Sequence, residues 1–135
     1  MTHLRGVKPS VSRDSNALTK APAPPKHLSV YARAEWKQIM PGLIERGIIT
    51  RGDLGGVEDY CRARGLVREI EDTLRASGDI DLKLCRAQDK AMQTARQLAA
   101  EYGLSPVSRA RVGSASADDD ECGSMLSIGR GRPNA

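Results

Sequence analysis

The sequence predicts an all-α protein: a small helical domain of three main helices plus a short C-terminal helix, with a disordered basic N-terminal arm and a disordered acidic C-terminal tail. Three observations lead there. Apolar residues between Leu28 and Val112 recur at intervals of three and four. No stretch alternates with period two between turn signals, as a half-buried strand would. Glycines and capping residues fall where that helical periodicity starts and stops.

The segment 1–27 holds 5 basic residues and 1 acidic residue and ends in Ala21-Pro22-Ala23-Pro24-Pro25-Lys26. Proline removes backbone donors and biases its predecessor to extended geometry, so this reads as a flexible arm ending in a stiff spacer. Ser29 is placed to cap a first helix with the apolar stripe Trp36, Ile39, Met40, Leu43 and Ile44. Pro41 lies inside that stripe and predicts a kink or break. Gly47 stops the helix, and Ile48-Ile49 connects it to Thr50.

Thr50-Arg51-Gly52-Asp53 has the spacing of a capping box, with Asp where Glu is usual, and starts a long second helix at Thr50. Its seam runs through Leu54, Val57, Cys61, Val67, Ile70 and Leu74 to a stop at Gly78. Gly55, Gly56 and Gly65 each weaken a helix by about 1 kcal/mol relative to Ala, so packing must hold it, and Gly65 is the place where it would break. Leu84, Ala91, Ala95, Leu98 and Tyr102 mark a third helix, ended by Gly103. Ser105 then caps a short fourth helix, with Pro106 at its first position, running to about Val112. Three domains of the chain follow: the arm 1–27, the helical body 28–112 and the tail 113–135. Core or oligomer packing falls to Trp36, Ile39, Leu43, Val67, Ile70, Leu74, Leu98 and Tyr102.

With 135 residues, 1 Trp, 3 Tyr and no Phe, the core is small and aliphatic. Large multidomain enzymes are excluded by length. No Gly-rich phosphate cradle followed by Lys-Ser/Thr exists, which removes an ATPase. The only dense acid cluster, Asp118-Asp119-Asp120-Glu121, lies in the tail rather than on a rigid scaffold, so metal-assisted catalysis is not expected there. Solvated tail and docking segment are the two readings of that run. Cys61 falls on the apolar stripe with no histidine nearby in sequence to activate it. Both histidines, His3 and His27, lie in the arm and no Cys-x-x-Cys is present, so neither a metal nor any other cofactor is expected. Three unpaired cysteines and no signal-peptide core read as cytosolic, and no apolar run approaches the roughly 20 residues of a membrane span.

Basic charge is the remaining signal. The chain has 21 Lys and Arg against 17 Asp and Glu, a formal +4, and the excess is concentrated in the arm. Arg5, Lys8, Arg13, Lys20 and Lys26 in the arm, Arg33 and Lys37 on one face of the first helix, and Arg109 and Arg111 at the end of the body are candidate DNA-phosphate contacts. Arg62, Arg64 and Arg68 also cluster, but Glu58, Asp59, Glu69, Glu71 and Asp72 stand at helix spacing to pair with them.

An ordered set of motifs carries a family resemblance over residues 21–112. The proline stretch 21–25 is followed by Leu28, Ala34-Glu35-Trp36 and Leu43, then by Gly47-Ile48-Ile49-Thr50-x-x-Asp53 and Tyr60-Cys61. The set closes on Glu101-Tyr102-Gly103-Leu104-Ser105-Pro106-x-Ser108-Arg109-Ala110-Arg111. Together they resemble the small subunit of bacteriophage terminase, in the short group with a Gly-Leu-Ser/Thr-Pro-x-Ser-Arg signature. One departure is Leu82-Lys83-Leu84-Cys85, where this group commonly opens the third helix with a proline-containing dipeptide.

The resemblance implies a non-catalytic packaging protein in the cytoplasm of the infected host cell. It would recognise double-stranded viral DNA, assemble as a ring of about eight or more copies, and recruit and regulate a large subunit carrying ATPase and nuclease activity. Two other readings remain open on the sequence: a small helical dimeric transcriptional regulator, and a structural phage adaptor that never touches DNA.

Overall fold

The computed structural model describes residues 15–111. Three helices carry the fold: α1 (Val30–Arg46), α2 (Leu54–Ser77) and α3 (Leu82–Glu101), with a single 3-10 turn, Arg51–Asp53, leading into α2. A last short helical segment covers 106–111. The fold is all-α, as its periodicity predicts. The central helix is α2, which packs against α1 on one side and antiparallel to α3 on another.

Each helix starts and stops for a local reason. The Ser29 hydroxyl accepts the Ala32 N–H at 3.3 Å at the head of α1. Gly47 and Gly78 adopt φ of 65° and 69° after α1 and α2, a left-handed conformation that lets their N–H groups cap the last helical carbonyls. The Asp53 carboxylate accepts from both the Thr50 N–H and the Thr50 hydroxyl at 2.9 Å, completing the capping box that the sequence spacing anticipates. Its first turn is 3-10, and α2 proper begins at Leu54. Asp81 caps α3 by accepting from Lys83 N–H and Leu84 N–H. At the last segment the Ser105 hydroxyl accepts the Ser108 N–H at 3.2 Å.

Neither α1 nor α2 is broken at the two positions where the sequence allows a break. Pro41 sits within an unbroken α1. Its missing N–H costs one bond to the Lys37 carbonyl, but Pro41 is on the exposed face while Met40 and Leu43, on the inner face, are fully buried and hold the helix together. Nor does α2 break at Gly65. That glycine is buried where α1 crosses α2, and a Cβ there would lie 3.0 Å from the Ala32 nitrogen, 3.1 Å from the Ala32 Cβ and 3.2 Å from the Ser29 Oγ. The absent side chain is a packing requirement, and the helix loses propensity to gain a close crossing.

The core is centred on the α1–α2 contact: Trp36, Met40, Leu43, Ile49, Val57 and Cys61 are all buried. Of the expected packing residues, Trp36, Leu43 and Ile70 are buried, whereas Ile39, Val67, Leu74, Leu98 and Tyr102 are half-buried. On α3 only Ala91 and Ala95 are buried.

The described part of the arm, 15–27, departs from the flexible segment expected. It lies along the helical body, with the Leu18 N–H donating to the Ile49 carbonyl at 2.8 Å and the Trp36 indole donating to the Pro22 carbonyl at 3.0 Å. Leu18 packs on the core cluster. Prolines cannot donate, but their carbonyls accept, and a buried indole N–H needs such a partner. Arg5, Lys8, Arg13 and the acidic run 118–121 lie outside the described residues.

Candidate nucleic-acid interface

The first helix exposes a basic face because its nearest acid turns inward. Arg33 and Lys37 are exposed, one helical turn apart. Glu35 stands between them in sequence but is 9% exposed, and its carboxylate accepts the Tyr60 hydroxyl at 3.1 Å. A helix rotates about 100° per residue, so two residues of shift carry the carboxylate to the opposite side. The outer face of this stretch is therefore positive.

Arg33 also organises its surroundings. Its Nε donates to the Leu28 carbonyl at 2.8 Å and one terminal nitrogen donates to the Lys26 carbonyl at 2.9 Å. This joins the arm to α1 and brings Lys26, itself exposed, beside Arg33. Guanidinium has five N–H donors, so further donors remain for an anion. Lys20 is exposed on the arm and distant from this group in sequence, next to the Leu18–Ile49 bond.

A second basic group forms at the far end of the body. Arg109 donates to the Leu104 carbonyl at 3.1 Å and is exposed, as is Arg111. Arg46, absent from the candidates that the sequence suggests, donates to the carbonyls of Tyr102 and Gly103. Burial first, then repulsion from Arg109, pushes its pKa down. Its signal in the sequence is a position in the last turn of α1, where a cation meets the helix dipole and free carbonyls.

The expected surface pairing of Arg62, Arg64 and Arg68 is not what the side chains do. Glu58 pairs with His27, Asp72 accepts from the Tyr31 hydroxyl, and Glu71 takes Arg75 and Gln88. Arg68 instead stacks over the Tyr31 ring at 5.9 Å. Arg62 is left exposed without an ion pair or hydrogen bond among the described residues, as is Lys90 on α3. These two flank a cleft of about 640 Å³ between α2 and α3, closed at one end by His27, Leu28 and Ser29. Sequence spacing points to pairs along one helix, while the carboxylates find partners on other elements.

Beneath the basic face, Tyr60 and Cys61 are held neutral beside Glu35. Burial, followed by the nearby Glu35 carboxylate, pushes the Tyr60 phenol up to about 12. The same two causes, with Glu58, push the fully buried Cys61 thiol up to about 12. A thiol held protonated is a packing group rather than a nucleophile. Among the described residues no cluster of His, Cys, Asp or Glu is arranged to hold a metal ion.

The sequence model of the family described as phage terminase, small subunit, matches residues 32–119. The chain belongs to this family. The match spans α1 from Ala32 onward, α2 and α3 of the terminase small-subunit domain, and the Gly-Leu-Ser-Pro-x-Ser-Arg stretch that follows. Terminase small subunits are non-catalytic components that associate with DNA and with a large terminase subunit. No curated protein and no solved structure matches the chain. No helix among the described residues is long and apolar enough to cross a membrane.

Proposed function

We propose that this terminase small subunit is a DNA-recognition component of a viral packaging motor. It grips duplex phosphates through Lys26, Arg33 and Lys37, with Arg109 and Arg111 as a second contact, and presents the DNA to the large subunit. The observation that carries this reading is the one-sided charge of α1, whose intervening acid Glu35 is buried against Tyr60. Arm cations Arg5, Lys8, Arg13 and Lys20 add to the same electrostatic grip. Contacts of this kind neutralise phosphates without reading bases, so recognition rests on backbone and shape.

A chain of net +4 binds weakly alone. Assembled as a ring of about eight or more copies, it repeats each contact and converts weak grips into avid binding. The half-buried apolar positions Val67, Leu74 and Leu98 supply surface for such assembly. The ring acts in the cytoplasm of the infected host cell.

Fluorescence anisotropy with duplex DNA across a salt series tests the grip. Lys37→Ala is expected to lower the salt slope by about 0.9 for each phosphate it ceases to neutralise, with native mass unchanged. Removing residues 1–14 is expected to weaken binding further while leaving the described body whole. No binding of wild type at micromolar protein in low salt overturns the DNA reading, and a native mass of a dimer overturns the ring.

A further inference from the structure

The cleft between α2 and α3 is built for an extended segment carrying acids at one end and apolar groups at the other. Its floor is apolar, with Leu28, Ala63 and Ala91 buried beneath a Leu66 side chain that is 44% exposed. Arg62 on one wall and Lys90 on the other face it without partners among the described residues. Glu69 and Ala87 mark its far end. Because α2 and α3 run antiparallel, a chain arriving from the C-terminal end of α3 meets Thr94 and Arg62 first, then Lys90 and Leu66, then Ala87 and Glu69.

The chain's own tail has the complementary order. Asp118-Asp119-Asp120-Glu121 comes first, and Met125, Leu126 and Ile128 follow in a stretch otherwise made of small and polar residues. We propose that residues 118–128 of the same chain dock in this cleft, with the acids on Arg62 and Lys90 and the apolar residues over Leu66 and Ala87. The reach is sufficient. From Tyr102 back to Thr94 is about 12 Å along α3 at about 1.5 Å per residue. Arg109 lies close to Arg46, which holds the Tyr102 and Gly103 carbonyls, so the body ends near that helix terminus. The connection from 111 to 118 spans up to about 25 Å when extended.

The carboxylate nearest that end, Glu58, is taken by His27, so the acids would meet Arg62 and Lys90, and the apolar residues avoid Lys90 by lying beyond it. A docked tail shields Arg62 and Lys90 from any other polyanion, making these cations conditional contacts, unlike Lys26, Arg33 and Lys37. Docking of the tail does not depend on DNA binding, and its test contains no DNA.

Cys122 sits directly after the acidic run and serves as a native probe. In the full chain, Cys85→Ser removes the half-buried thiol of α3, and Thr94→Cys adds one in the cleft. Cys61 is fully buried and stays unmodified. A short bis-maleimide is expected to join Cys122 to the cleft within one chain at least about tenfold faster than it joins Cys122 to a control Lys37→Cys on the outer face of α1, because docking raises the effective concentration. Ala87→Cys, at the other end of the cleft, repeats the measurement should the first variant not fold.

Salt at about 0.5 M is expected to suppress the difference, through the shortened range of the charge interaction. Conversion of Asp118, Asp119 and Asp120 to Asn with Glu121→Gln is expected to abolish it. Equal rates at the cleft and control positions overturn the proposal. Crosslinks found between chains rather than within one chain also overturn it, by assigning the cleft to a second copy.

Discussion

The two helix pairs of this molecule are packed to different standards. Between α1 and α2 the contact is closed: Met40, Leu43, Val57 and Cys61 are fully buried, and Gly65 lets the backbone of α1 approach at Ala32. Between α2 and α3 the buried residues are small, Ala91 and Ala95, and beyond Ile70 no residue of α2 is fully buried. Leu82 at the head of α3 is 64% exposed and Ile80 before it is 84% exposed. Apolar burial contributes about 25 cal/mol per Å², so the largest fully buried side chains, all in the first pair, make it the main apolar core, and the second pair leaves apolar surface for other partners.

The strongest way to break this contrast is at Trp36. Trp36→Ala is expected to cost about 3–5 kcal/mol, since it removes a buried indole and the bond that holds the arm at Pro22. Chemical denaturation measures it, and a loss below about 1 kcal/mol would remove the α1–α2 pair from its central place.

Alkaline titration probes the same pair more gently. Tyr60 and Cys61 have raised pKa values, about 12 in the fold against 10.0 and 9.0 for the free groups. A raised value stabilises the protonated, folded form. That contribution is fully present below about pH 9 and is lost as pH climbs from 9 towards 12, at up to about 1.4 kcal/mol per pH unit for each group. Melting temperature is expected to fall across this window, and Tyr60→Phe is expected to flatten the fall above pH 10. An unchanged slope in Tyr60→Phe would show that the phenol is not held as described.

Gly65→Ala follows in size. The new methyl meets backbone at 3.0 Å, an overpacking cost of about 1–3 kcal/mol set against about 1 kcal/mol gained in helix propensity. A net loss is expected, and a net gain would mean that α1 can move away without penalty. Smallest of all is Leu82→Ser, at the open end of the second pair. A change within about 0.5 kcal/mol is expected in the isolated chain. A larger loss would show that this leucine is already covered within one subunit.

Much of the local design is readable without coordinates. Ser29, Thr50 with Asp53, Ser105 and the stops at Gly47 and Gly78 depend on neighbours within a few residues, and the caps form where spacing puts them. Pro41 misleads because propensity measures an isolated helix, whereas Met40 and Leu43 anchor this one from the inner face. The α1 charges are legible for the same reason as the caps: Arg33 and Lys37 share a helical face whatever α1 packs against.

Partnership across elements is not legible in this way. The pairing of Glu58 with His27 and of Asp72 with Tyr31 spans 31 and 41 residues, and these distant claims leave Arg62 exposed at the cleft. The hold of Trp36 on the Pro22 carbonyl, which turns residues 15–27 from an expected flexible arm into part of the body, is of the same kind. By itself the sequence determined the helices, their ends, the family signature and the basic face of α1, because each depends on periodicity or on contacts a turn apart. Tertiary structure decided that Gly65 is a crossing point, which carboxylates are spent and which cations remain, because those outcomes depend on side chains that meet only after α1 and α3 have closed on α2.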